Sequence, residues 1–267
     1  MKRKPSVAGS FYSASARELK EHVTSLIPEG SGKIKAIGAM SPHAGLIYSG
    51  GVAGLVYSRM EPPDTFVLLG PNHTGMGKKI SLAAEGQWEI PTGTLQINSA
   101  LADSIATSMP MVSRDDSAHM FEHSLEVQLP FIVECAPAAS IVPIAIMSAT
   151  LEELMALGRC VASAIKESAS SAVVVASTDM SHFISEKEAR EIDQHALDRV
   201  LSLDPEGLYN TVLEEGITMC GFMPTVAMLS ASRELGAGKA ELLRYTTSAE
   251  VSGDYDRVVG YAGVLIR

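Results

Sequence analysis

The sequence predicts an α/β fold: one domain over residues 1–267, with a mixed, largely parallel sheet core flanked by helices. Three observations predict it. Strand-like apolar runs alternate with helix-like segments from residue 34 onward, the pattern of strands joined by crossover helices. The run Ala172-Val173-Val174-Val175-Ala176 is apolar without a break, as strands covered on both faces tend to be. No repeat, low-complexity tract or Pro/Ser-rich linker divides the chain, and 267 residues suffice for one large α/β domain.

A polar lead-in, Ala8-Gly9-Ser10-Phe11-Tyr12, precedes a helix expected from Ser15 to Ile27 and stopped by Pro28 and Gly30. A strand follows over Ile34–Met40, closing in Ser41-Pro42-His43-Ala44-Gly45. A helix is expected over Ser49–Met60, with Gly50-Gly51 at its start permitting close backbone approach. The second strand, Thr65–Leu69, closes in Gly70-Pro71-Asn72-His73-Thr74-Gly75. Ile80–Ala84 reads as a strand and Trp88–Gly93 as a loop. Helical patterns then cover Asn98–Ser108 and Glu122–Glu134. Ile141–Ile146 reads as a buried strand that Pro143 would push to an edge or a bulge. Thr150 and Glu153 form a capping box for a helix reaching about Ser168. After the 172–176 strand, helices are expected over Glu186–Leu201, Pro205–Glu214 and Pro224–Leu235. Two strands end the chain, Leu242–Thr247 and Val258–Ile266, with a turn at Gly253-Asp254.

Composition narrows the function classes. A formal net charge of −10 argues against a nucleic-acid or anionic-membrane surface, both of which need clustered cations. The basic start, Met1-Lys2-Arg3-Lys4-Pro5, lacks the apolar run of a signal peptide. No apolar stretch approaches the roughly 20 residues that span a bilayer. Cys135, Cys160 and Cys220 form no CxxC and cannot all pair, so the expected compartment is the reducing cytoplasm. A phosphate loop is suggested only faintly by Gly75-Met76-Gly77-Lys78-Lys79. Neither a G-x-S-x-G elbow nor an H-E-x-x-H helix is present.

The chemistry-bearing residues stand at strand ends. His43 and His73 each follow an apolar strand and a proline turn, at the sheet edge where open α/β folds bind ligands. Two imidazoles there can share a divalent metal. Ser177-Thr178-Asp179-Met180-Ser181-His182 follows the central strand, and one turn of helix would put Asp179 and His182 on one face. Cys220 precedes a helix, whose N-terminus would favour thiolate. His123 and Glu126, three apart at the start of the expected 122–134 helix, complete the polar clusters, while Asn72 flanks His73. His22, His119 and His195 have no evident partners.

These motifs resemble the Memo family: Pro42-His43-Ala44-Gly45, Leu69-Gly70-Pro71-Asn72-His73, Glu122-His123-Ser124-Leu125-Glu126, Ser177-Thr178-Asp179-Met180-Ser181-His182 and Met219-Cys220-Gly221. Pro5–Tyr12 and Gly260-Tyr261 are similar too, so the likeness runs the length of the chain. The resemblance implies the fold of the class III extradiol dioxygenases, non-haem iron enzymes that open catechol rings. It implies His43, His73 and Cys220 as metal ligands, Asp179 and His182 lining the pocket, and His182 as acid/base. His123, Glu126 and Asn72 are expected around the same pocket. Those dioxygenases complete their ligand set with a carboxylate, where this chain offers Cys220. The implied cofactor is iron, with copper or zinc as alternatives. The expected partner is a small-molecule or peptide ligand, with radical-SAM and AMMECR-type proteins suggested by gene neighbourhood in prokaryotic members. The leading reading is a metal-dependent redox enzyme. A non-catalytic binding module and a zinc hydrolase stay open beside it.

Overall fold

The structure, a computed structural model, describes residues 2–30 and 32–267. Met1 of the basic start and Ser31 lie outside the described residues. In chain order the strands are β1 (Lys2–Arg3), β2 (Gly38–Ser41), β3 (Thr65–Pro71), β4 (Ile80–Leu82), β5 (Gln87–Ile90), β6 (Gly93–Gln96), β7 (Val112–Arg114), β8 (Ser140–Ile146), β9 (Ala172–Ser177), β10 (His182–Ile184), β11 (Ala240–Thr247) and β12 (Val258–Ile266). The helices are α1 (Ala16–Leu26), α2 (Leu46–Arg59), α3 (Ser99–Ser108), α4 (Leu129–Cys135), α5 (Leu151–Glu167), α6 (Glu186–Leu201), α7 (Pro205–Glu215), α8 (Phe222–Glu234) and α9 (Ala249–Ser252).

A nine-stranded mixed sheet runs β10-β12-β2-β9-β3-β8-β4-β7, with β11 on β12. Its centre is parallel: β2, β9, β3 and β8 point the same way. The margins are not, since β12 is antiparallel to β2 and β4 to β8. The expected parallel core is therefore a block of four strands inside antiparallel flanks. The apolar run 172–176 sits in the middle of it, paired on both sides and buried from Val173 onward. Helix α8 packs against β9 and β3 and carries α5 on its other side, while α2 packs on β11 and β12. Thr150 and Glu153 form the expected capping box on α5.

Several elements differ from expectation. Trp88–Gly93 is not a loop but most of a hairpin, β5 and β6, that joins β1 in a three-stranded sheet. Trp88 and Ile90 bury one face of it, the period-2 pattern that Pro91 masked. Pro143 lies inside β8, not at an edge or bulge. Its carbonyl accepts from Ala83 just beyond the last paired residue of β4, so the β4 pairing stops where Pro143 has no N–H to return. α2 begins at Leu46, earlier than Ser49, and α9 ends at Gly253 in the left-handed conformation between β11 and β12.

The expected helix Glu122–Glu134 also changes. Residues 122–125 form a loop, Glu126–Gln128 one 3-10 turn, and α4 starts only at Leu129 with Pro130 in its first turn. Side chains explain the break. Glu122 accepts from the Ser124 N–H, and the Ser124 hydroxyl donates to the Pro71 carbonyl, so local bonds replace helical ones. Likewise Asp179 and His182 share no helical turn, because His182 opens β10.

Candidate metal centre

The three parallel strands β2, β9 and β3 are neighbours, so their carboxyl ends bring the following loops together. His43 stands two residues beyond β2, His73 two beyond β3, and Ser177 is the last residue of β9. His123 arrives from the 122–125 loop. One ring nitrogen each of His43, His73 and His123 lies within 4.8 Å of the others, a spacing that can hold a metal ion. Ring centroids are 5.3 Å apart for His43 and His73, 5.5 Å for His43 and His123, and 4.7 Å for His73 and His123. His43 is buried, His123 half-buried and His73 open to solvent on one side.

Glu122 organises two of these rings. One carboxylate oxygen lies 2.9 Å from His73 Nδ1 and 3.4 Å from His123 Nδ1, and it also accepts from the Ser124 N–H. The second oxygen accepts from the His73 N–H. Burial pushes the Glu122 carboxyl up, but the His73 ring and these N–H donors outweigh it and hold it at about 2. An ionised carboxylate only accepts, so His73 donates from Nδ1, and in the neutral ring Nε2 carries the lone pair. Carboxylate backing of this kind is what metal-binding imidazoles commonly have. Burial, then the neighbouring histidines, keep His43 neutral, and burial lowers His123 as well.

Cys220 meets the same cluster from the other side. Its Sγ is 3.3 Å from His43 Nε2 and accepts from the Asp179 N–H at 3.3 Å. Gly221 allows this approach, because a Cβ there would fall 2.4 Å from the Ser177 carbonyl oxygen. The expected thiolate is not what the surroundings favour. Burial first, and then the Asp179 charge, raise the Cys220 thiol, while the helix begins only at Phe222.

The other expected residues divide. Asp179 is buried and its carboxylate accepts from the His43 N–H, which places it beside the cluster but outside the three-histidine group. Burial raises its carboxyl. His182 donates from Nδ1 to the Thr218 carbonyl at 3.0 Å, and Thr218 Oγ1 accepts from the His182 N–H. A carbonyl only accepts, so Nδ1 carries a proton and the neutral ring has its lone pair on Nε2. Glu126 is not a pocket residue. Fully buried, it accepts from Arg3, Ser6, Val7 and Tyr12, tying the N-terminal segment down. Asn72 is likewise spent inside its own loop, where Oδ1 accepts from Thr74 and Gly75 and Nδ2 donates to Met76.

Several members of the site carry little local signal in the sequence. Glu122 gave a signal only in its adjacency to His123. Phe11, from the N-terminal segment, sets its ring 4.6 Å from His123. Two histidines set aside have partners of their own: His119 is buried against Trp88, and His195 Nδ1 is 2.6 Å from Glu215.

The family described as Memo-like protein matches residues 3–265. A MEMO1 family protein of Methanothermobacter thermautotrophicus is 40% identical over 274 residues, covering 98% of this chain and 99% of that protein. One from Aquifex aeolicus is 40% identical over 265 residues and covers 98% of each. Among solved structures, an uncharacterized protein from Escherichia coli K12 superposes with a TM-score of 0.59 at 14% identity, covering 86% of this chain and 99% of that one. That last likeness is one of fold.

Proposed function

Because the chain belongs to the Memo-like protein family, whose name carries no reaction, we propose a function from the site itself: a metal-dependent redox protein of oxygenase-like type. The observation that carries this reading is the convergence of three imidazoles, two of them facing one ionised carboxylate. The donor set is nitrogen and sulfur, which suits iron, copper or zinc and disfavours magnesium or calcium. His43, His73 and His123 would hold the ion, with Cys220 as a further donor on the His43 side. We favour iron, with copper as the alternative. When bound, such an ion supplies electron transfer and Lewis-acid polarisation of a ligand.

The remaining roles fall to this chain's own groups. His182, with Nδ1–H fixed on Thr218, presents Nε2 as a proton acceptor within electrostatic reach of His43 and Asp179. Asp179 holds the His43 loop through the backbone. Phe11 walls the His123 side, and Tyr261, buried, lies near enough to Asp179 for its hydroxyl to stay protonated by burial and by that charge.

The test is metal content after purification without chelator or affinity metal, comparing wild type with His43→Ala, His123→Ala and Cys220→Ser. Near-stoichiometric iron or copper, lost in His43→Ala, is the expected result. The other two variants decide whether histidine or cysteine completes the set. No metal, and no uptake of Fe(II) or Cu(I) under anaerobic conditions, overturns the reading.

A further inference from the structure

Behind His43 lies a hydrogen-bond chain that is buried throughout and that neither the metal nor a ligand would touch. Tyr57 donates to Gln128 Oε1 at 3.0 Å. Gln128 Nε2 donates twice, to the Pro42 carbonyl at 2.9 Å and to Ser177 Oγ at 2.8 Å. Ser177 Oγ in turn lies 2.6 Å from the Ser124 carbonyl oxygen and 2.9 Å from His43 Nδ1. Tyr57, Gln128, Ser177, Ser124 and His43 are all buried, so water does not compete for these bonds.

The directions in this chain can be deduced. The Pro42 carbonyl accepts only, so the Gln128 amide must face it with Nε2, and the same nitrogen then serves Ser177. A hydroxyl has one proton. The Ser124 carbonyl also accepts only, so the 2.6 Å contact consumes the Ser177 proton. What remains on Ser177 Oγ is a lone pair facing His43 Nδ1. That contact is a hydrogen bond only if Nδ1 carries the proton.

We propose that Ser177 is a positioning residue that locks His43 in its Nδ1–H tautomer, aiming the Nε2 lone pair at the His73, His123 and Cys220 side of the site. The proposal rests on the metal-centre reading for its purpose, but not for its geometry. The Cys220 contact agrees with it: Sγ lies 3.3 Å from Nε2, where a thiol proton meets a free lone pair. Glu122 does the same for His73, so two unrelated devices, a carboxylate and a serine, deliver one tautomer. Loss of such a supporting partner costs about 10- to 100-fold in metal affinity.

The test is side-chain 15N NMR of chelator-treated protein, which distinguishes Nδ1–H from Nε2–H histidine, on wild type, Ser177→Ala and Ser177→Thr. Zinc titration against a chromophoric chelator follows on the same samples. Wild-type His43 is expected as Nδ1–H. Ser177→Ala should shift it toward Nε2–H or a mixture, with zinc binding weaker by about 10- to 100-fold. Ser177→Thr, which keeps the hydroxyl, should restore both. His43 found as Nε2–H in wild type, or an unchanged tautomer in Ser177→Ala, overturns the proposal. The wild-type spectrum alone can do so, even if the variant folds poorly. Wild type that shows the Nδ1–H tautomer yet takes no zinc supports the lock and counts against the metal reading alone.

Discussion

A single carboxylate, Glu122, fixes how the His73 ring faces and lies beside the His123 ring as well. Its oxygens receive only N–H groups: the His73 ring and backbone, and the Ser124 backbone. An amide in its place would turn an NH₂ toward one of those donors whichever way it rotated. Glu122→Gln is therefore expected to destabilise the fold by about 1–3 kcal/mol, the cost of a buried donor left unsatisfied. Zinc affinity should fall about 10- to 100-fold in the same variant. Urea midpoints and a zinc titration measure the two effects, and unchanged zinc affinity would remove Glu122 from the site's supporting shell. Residues of this kind were the least legible in the sequence. His43 and His73 announced themselves by following apolar strands. Glu122, Ser177 and Gln128 look like ordinary polar residues until the fold shows what their hydrogen bonds reach. Glu126 shows the reverse error, since its spacing from His123 mattered only if both lay on one helix.

The edge strand β10 is irregular. Its pairing with β12 slips between His182 and Ile184, and the intervening Phe183 sits at φ 61° with its ring exposed. The bulge lets His182 and Phe183 break strand alternation, so that His182 bonds Thr218 while Phe183 leans toward Arg257. A bulky residue in the left-handed region costs roughly 1–2 kcal/mol, which glycine would not incur. Phe183→Gly should therefore match or exceed wild type in stability, by up to about 1 kcal/mol after glycine's own entropy. A urea midpoint clearly below wild type would show that the ring is held by more than the bulge. Element boundaries explain most of what the sequence missed. The β5–β6 hairpin hid behind Pro91, and the break at 122–128 hid because side chains, not Pro or Gly, end the helical bonding. Strongly periodic segments such as α5 and α6, and the apolar strand β9, were readable because nothing in the tertiary structure competes with their local pattern.

For the molecule as a whole, the site exists because β2, β9 and β3 are parallel neighbours, so three loops leave the sheet at one edge. Parallel strands were legible from their unbroken apolar runs, but strand order was not, and neither was the arrival of Cys220 and the 122–125 loop from elsewhere. Around that edge the fold stores acid sensitivity in groups with no catalytic assignment. His119 is fully buried on Trp88, neither ring nitrogen is in a well-formed hydrogen bond, and burial followed by the Arg3 charge brings its pKa down to about 4. Its unfolded value is near 6.5. Between those limits the unfolded chain binds a proton that the folded chain refuses. Stability is thus intact above pH 6.5 and declines as the pH falls toward 4, by an amount on the order of 3 kcal/mol. Glu122 adds a second window: its folded value of about 2 lies below the ordinary 4.5, so its contribution is lost as pH falls from 4.5 toward 2. His119→Leu separates the two. Because neither ring nitrogen is in a well-formed hydrogen bond, an apolar side chain of similar size should leave stability at pH 7 within about 1 kcal/mol of wild type. The decline between pH 6.5 and 4 should become shallower, leaving the share of the buried His43 and His123 rings, while the steeper loss below 4.5 persists. Urea unfolding across pH 3–8 in the presence of chelator, which removes competition from bound metal, makes the comparison. An unaltered slope above pH 4.5 in the variant would place the acid sensitivity in the site histidines, and the buried ring on Trp88 would then be no more than packing.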